Sequence, residues 1–235
     1  MAITESEKLS GPVKGGAVLF AEMTPSEGGE DQFNDWYDNH HAPSRVNGMP
    51  GFLSAQRYKS PSGPHYLAIY DLESPAALDG EEYQSRRHSP DAPTREMLES
   101  VTGFARYIGN EISFQIRDGV TPEQALDAEM VIAVFFAAPT EHWSELVGWY
   151  ETEHTPLLLK CEDWLMTRHM EIVDFSPEPF SHVMLHYVCD QSAMDSPEVA
   201  RSRETDDYKR LKAADWYQPV FAFYGRRGAR ILPAR

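Results

Sequence analysis

The period of the apolar positions changes several times along the chain, and the changes come in the same order in both halves. Residues 18–21, Val-Leu-Phe-Ala, form a short apolar run that reads as a strand. Between residues 31 and 42, Phe33, Trp36 and Tyr37 fall at helical spacing, with His40 and Ser44 completing the same face. Pro50-Gly51 interrupts that pattern. Residues 52–58 and 65–70 then flank the turn Pro61-Ser62-Gly63-Pro64 and predict a hairpin. Helical pieces run from Ser74-Pro75 to Ser100, and residues 112–116 alternate as a fourth strand. The second half predicts a strand at 130–137, a helix at 141–155, a hairpin of 164–170 with 182–188, helix over 197–212 and a strand at 220–224. The order strand, helix, strand, strand, helix, strand is the split βαβ, or ferredoxin-like, unit.

The two halves also share residues. Phe33, Trp36, Tyr37, His41 and Pro43 are answered by Leu146, Trp149, Tyr150, His154 and Pro156, each 113 positions on. One offset across five positions points to an internal duplication. It divides the 235 residues into a first unit, 1–117 with an N-terminal arm, and a second, 118–235, joined at Asp118-Gly119-Val120-Thr121-Pro122. Each unit has a sheet with helices on one face, and the bare face must be buried. The expectation is an α+β fold of two tandem ferredoxin-like units. Their antiparallel sheets pack face to face as a barrel, with helices outside and a pocket between the sheets.

Composition narrows the partners. A formal charge of −16 opposes phosphate backbones and anionic lipid, so no nucleic acid and no membrane partner is expected. No stretch of eighteen apolar residues and no basic-then-apolar N-terminus occurs, which makes a cytoplasmic protein the default. Cys161 and Cys189 lie in no metal-like spacing and read as reduced thiols. There is no glycine-rich phosphate loop, dinucleotide fingerprint or nucleophile elbow. No cofactor and no metal is therefore expected.

The run Asp35-Trp36-Tyr37-Asp38-Asn39-His40-His41-Ala42-Pro43, followed by Met49-Pro50-Gly51-Phe52 and Gln56-Arg57-Tyr58, resembles the EthD-like branch of the dimeric α+β barrel superfamily. The second half keeps Trp149-Tyr150-Glu151-Thr152-Glu153-His154-Thr155-Pro156 but replaces the turn with Glu162-Asp163-Trp164, and only Arg168-His169 matches the Arg-Tyr strand end. The resemblance implies the barrel fold. Relatives in that superfamily include isomerases, cyclases, lyases, cofactor-free monooxygenases and haem proteins, so the reaction must be argued from the site.

Histidine suits proton transfer near neutral pH. His41 and His154 lie one helical turn beyond Tyr37 and Tyr150; their retention in both halves fits either catalysis or a structural role at the helix end. Where the halves differ, a single asymmetric site is easier to build. His40, Ser44, Arg45 and Asn47 stand against Glu153, Leu157, Leu158 and Lys160. The first half is the more polar and is the preferred source of reactive groups, although Arg45 and Asn47 also fit a solvated helix end. Alternation puts Leu67, Ile69, Val183 and Leu185 on one face, expected under the helices. Tyr66 and Tyr70 with His182 and His186 then line the cavity between the sheets. Arg57 and Arg168 are the candidate anchors for a carboxylate, and Arg86-Arg87-His88 beside Tyr83 reads as a solvated helix end.

These residues point to a cofactor-independent enzyme acting on a small, unsaturated, carboxylated intermediate of aromatic catabolism. In the isomerase form, His41 moves the proton, with His40, His154 and His186 as further candidates. Tyr70 or Tyr37 donates to an enolate, and Trp36, Tyr37, Ser44, Tyr66, Arg57, Arg168 and His182 bind substrate. A lyase or cyclase on a phenolic substrate, a non-catalytic binding barrel, and an oxidoreductase holding haem through His154 or His186, or a metal through His182 and His186 with Glu153 or His169, are the alternatives. A homodimer is left open.

Overall fold

The structure is a computed structural model describing residues 13–234; most of the expected N-terminal arm, residues 1–12, lies outside them. Eight strands close into one antiparallel barrel in the order β1-β3-β2-β8-β5-β7-β6-β4. In the first half these are β1 (Ala17–Thr24), β2 (Phe52–Lys59), β3 (Tyr66–Leu72) and β4 (Thr102–Ile116). In the second they are β5 (Met130–Phe136), β6 (Trp164–Ser176), β7 (His182–Val188) and β8 (Val220–Ile231). Each half keeps the ferredoxin-like neighbour order, and the helices lie outside. The expected α+β barrel is the observed architecture.

The sheets meet edge to edge as well as across the lumen. β2 pairs with β8 (Lys59 with Gly225, Arg57 with Arg227, Ala55 with Ile231), and β4 pairs with β6 (Gly109 with Ile172, Ile116 with Met166). The two seams explain why β6 and β8 outrun the strands read from the sequence, since their extra residues pair with the other half; the extra residues of β4 pair with β1 and, from Arg106 onward, with β6 as well. Closure leaves no open sheet edge within the barrel.

The lumen corrects one expectation. Leu67, Ile69, Val183 and Leu185, expected under the helices, point inward and pack with Val18, Phe20, Val131, Phe135, Met166 and Met170. The Phe20 ring meets Phe135, Tyr107 and Tyr224 edge-on at 5.4–6.0 Å, joining the halves. An eight-stranded barrel is just wide enough for side chains to fill, so the lumen is a core. Tyr66, Tyr70, His182 and His186 consequently face the helices and not a cavity between the sheets. Both sheet faces are buried, so alternation alone could separate the two residue sets without saying which set turns inward.

The outer layer of each half has its own core. In the first, α1 (Glu30–Trp36) and α2 (Ala42–Gly48) cover the sheet beside α3 (Glu81–His88) and α4 (Ala92–Ser100), burying Phe33, Trp36, Tyr37 and Val46 against Leu19 and Tyr70. After the short α5 (Pro122–Leu126), α6 (Trp143–Trp149) and α7 (Thr155–Leu158) do the same with α8 (Pro197–Ser202) and α9 (Asp206–Lys212). Among the described residues no helix is long and apolar enough to cross a membrane. Cys161 and Cys189 are free thiols.

Candidate functional site

The duplicated segment contains a local irregularity. Pro43 and Pro156 sit at the second position of α2 and α7, where they supply no amide hydrogen and crowd the carbonyl four residues back. In each half the preceding turn widens into a π-helix, Tyr37–His41 and Tyr150–His154, closed by bonds from the Ala42 and Thr155 amides to the Tyr37 and Tyr150 carbonyls. The wider turn sets residues five apart on one face. His41 therefore lies over Trp36 with ring centroids 4.4 Å apart, and His154 over Trp149 at 4.4 Å. The tyrosines sit edge-on to the same imidazoles at 5.1 and 5.0 Å.

Each imidazole borders a pocket between the helices and the outer face of its own sheet. The first-half pocket encloses about 150 Å³ and brings Tyr37, His41 and Tyr70 together with Arg45, Tyr83, Arg86, Arg87 and Arg106. The Tyr70 hydroxyl donates a loose 3.4 Å bond to Tyr37, leaving the Tyr37 proton free for the pocket. The His41 ring has no hydrogen-bond partner among the described residues. Burial pushes its pKa down to about 3, assisted by the positive charge of Arg45, so the imidazole is neutral. Burial likewise raises the pKa of both tyrosines and keeps them protonated. Arg106 is held by Asp174 at 2.6 Å and donates to the Tyr83 hydroxyl at 3.2 Å. Arg45, Arg86 and Arg87 have no carboxylate partner among the described residues, an unbalanced positive patch in an acidic chain.

The second-half pocket, about 230 Å³, brings together Tyr150, His154, Trp164 and His186, with Arg203 and Lys212 exposed beside it. Burial lowers the His154 pKa to about 3 and that of His186 well below the usual value.

Other expected site residues have structural partners. Arg57 is buried, donates to Asp38 at 2.5 Å and Asn34 at 3.0 Å, and stacks 4.5 Å from the Tyr37 ring. Arg168 is completely buried and donates to Asp71 at 2.8 Å, Glu111 at 2.6 Å and the Gly15 carbonyl at 3.0 Å. Neither guanidinium lines either of these two pockets; Arg57 is bonded to half-buried Asp38 and buried Asn34 and Arg168 to buried Asp71 and Glu111, where each was expected to hold a substrate carboxylate. His40 turns away from the first pocket and pairs with Asp91 at 2.8 Å, and the Ser44 hydroxyl donates to its own helix at the His41 carbonyl. Tyr66 donates to Glu30, His182 pairs with Ser181 at 3.0 Å, and Trp36 borders an open groove on the far side of α1. The sequence reading missed the arginines of the first pocket. The signal was present in Arg45 and Arg86-Arg87 beside Tyr83, but a helix-end arginine looks the same whether it meets water or a cleft.

No protein-family model matches this chain, and no curated protein matches it. Its structure is similar to those of an anthrone oxidase-like protein (TM-score 0.67, 12% identity, covering 93% of this chain and 94% of that one) and a monooxygenase-like protein from Lactobacillus acidophilus (TM-score 0.57, 10% identity, 92% and 96%). A mutant chlorite dismutase from Candidatus Nitrospira defluvii is also similar (TM-score 0.51, 10% identity, 90% and 90%). At these identities the likeness shows the fold, the ferredoxin-like α+β barrel, and does not carry a reaction.

Proposed function

We propose that the first-half pocket is the active site of an enzyme performing acid/base chemistry on a small, anionic, unsaturated or aromatic molecule. The observation that carries this reading is the neutral, unbonded His41 imidazole sharing a pocket with the Tyr37–Tyr70 phenol pair and with Arg45, Arg86 and Arg87. A pocket volume near that of a cavity known to take one benzene sets the scale at about a single ring. The exposed Arg86 and Arg87 draw in a carboxylate. Its negative charge offsets the field of Arg45, so His41 becomes a stronger base when the substrate is present. His41 then removes a proton from carbon while the Tyr37 hydroxyl, receiving the bond from Tyr70, donates to the developing enolate oxygen. Return of the proton to another carbon completes an isomerisation. The shared Trp-Tyr-His-Pro helix supports a place in the EthD-like branch.

A second reading, oxidation of the same carbanion by dioxygen, is favoured by the likeness to the anthrone oxidase-like protein. Incubation with ring-cleavage dienoates, lactones and phenolic acids, followed by ultraviolet spectra and an oxygen electrode, separates the two. Turnover without oxygen uptake supports isomerisation, and stoichiometric uptake supports oxidation. His41→Ala should lower kcat at least 100-fold, and His154→Ala should leave it within about twofold. Binding without turnover across the panel, or turnover that survives His41→Ala, refutes the assignment.

A further inference from the structure

The halves carry equivalent pockets, yet their linings have diverged. Where the first has Tyr70 the second has His186, and the four arginines of the first give way to Arg203 and Lys212 around the second. The second pocket is larger, about 230 Å³ against 150 Å³. Its walls include Tyr150, Trp164, Tyr208 and Tyr217, and the two pockets share no residue. They lie under different helices on different sheets of the barrel.

A short relay fixes what this pocket offers a ligand. The Trp164 indole donates to the Thr167 hydroxyl at 3.3 Å, and that hydroxyl lies 2.9 Å from His186 Nδ1. An indole N–H can only donate. Among the described residues the threonine hydroxyl meets this donor and His186 alone, so its own proton is satisfied by donation to Nδ1. The neutral His186 then carries its proton on Nε2, the nitrogen left for the pocket. On the other side of Tyr150, His154 is stacked on Trp149 and its Nδ1 is buried without a partner among the described residues. The exposed Arg203 and Lys212 border the same pocket, and neither pairs with a carboxylate among the described residues.

We propose that the second-half pocket is an independent ligand site for a bicyclic aromatic carboxylate. The aromatic walls take the rings, the added volume accommodates the second ring, the His186 Nε2–H donates to a ligand oxygen, and Arg203 and Lys212 hold the anion. This inference stands apart from the reading of His41, because it concerns binding in the other half and requires no turnover.

The probe is 2-naphthoate, followed by calorimetry and by quenching of tryptophan fluorescence, since Trp164 lines the site. Saturable binding at one site per chain is expected, weakened at least tenfold in Arg203→Ala/Lys212→Ala and at least tenfold for the uncharged 2-naphthalenemethanol. Arg86→Ala/Arg87→Ala should leave it within about twofold. All four substituted side chains are exposed, so loss of folding does not confound the comparison, and circular dichroism checks it. No saturable binding, or binding abolished by the Arg86/Arg87 change and indifferent to the Arg203/Lys212 change, overturns the proposal. So does a Soret band in the purified protein, which would give the pocket to haem.

Discussion

Arg168 offers the clearest test of how the barrel is held together. Its guanidinium is fully buried and bonded to Asp71 on β3, to Glu111 on β4 and to the Gly15 carbonyl, so one second-half side chain ties down two first-half strands. Arg168→Leu preserves an apolar stem but leaves the buried Asp71 carboxylate without its main counter-charge. Removing one partner of a buried pair costs roughly 3–5 kcal/mol, more than the intact pair contributes, because the surviving charge stays desolvated. Arg230 lies 3.7 Å from Asp71, and Lys14 bonds Glu111. Both soften the loss, which places the expected value near the lower bound, about 3 kcal/mol. For a chain of this length that corresponds to a fall in Tm of roughly 6–12 °C. The assay is urea unfolding with thermal melts, and Arg168→Leu/Asp71→Leu should recover part of the loss by removing the stranded carboxylate. A loss under about 1 kcal/mol, or intact stability with weakened anion binding, would refute the structural role and restore Arg168 as a ligand anchor.

His41, His154 and His169 are held neutral to about pH 3, and His182 to about pH 4, chiefly by burial. The unfolded chain protonates these groups near pH 6.5, so stability should fall as pH drops below that value, by up to about 1.4 kcal/mol per histidine per pH unit until the folded pKa is reached. An NMR titration showing any of these imidazoles changing charge between pH 5 and 8 in the folded protein would contradict it. At the β4–β6 seam, a Cβ on Gly109 would stand 2.8 Å from the Cβ of Met170 and 3.2 Å from Val18; Gly109→Ala should lower stability by about 1–3 kcal/mol in the same urea assay. Gly51 has φ +80, and a Cβ there would meet Ala77 at 2.7 Å. Gly51→Ala should therefore cost at least about 1 kcal/mol, read as a lower Tm.

The α+β class, the doubled strand-helix order and the repetition of the Trp-Tyr-His-Pro segment were legible in the sequence because they depend on local periodicity and on proline and glycine chemistry. Local sequence also contained the cause of the π-turn, Pro43 and Pro156, although its consequence, stacking of His41 and His154 on tryptophans five residues earlier, appears only with the helix built. The strand ends were legible only in part. The extra residues of β6 and β8 are extended because the other half of the chain pairs with them, and those of β4 because β1 does, joined from Arg106 onward by β6.

Tertiary structure decided the orientation of the sheets and the fate of the charges. Alternation separated Leu67 and Ile69 from Tyr66 and Tyr70, but barrel closure turned the aliphatic set inward and left the tyrosines and histidines under the helices. Arg57 and Arg168 resemble Arg45 and Arg86 as letters. The first two lie beside half-buried Asp38 and buried Asn34, Asp71 and Glu111, whereas the latter meet a cleft without a carboxylate partner among the described residues. Periodicity is a property of neighbouring residues and can be read along the chain. Which charge is paired and which is free depends on contacts between residues far apart in sequence, which arise only on folding.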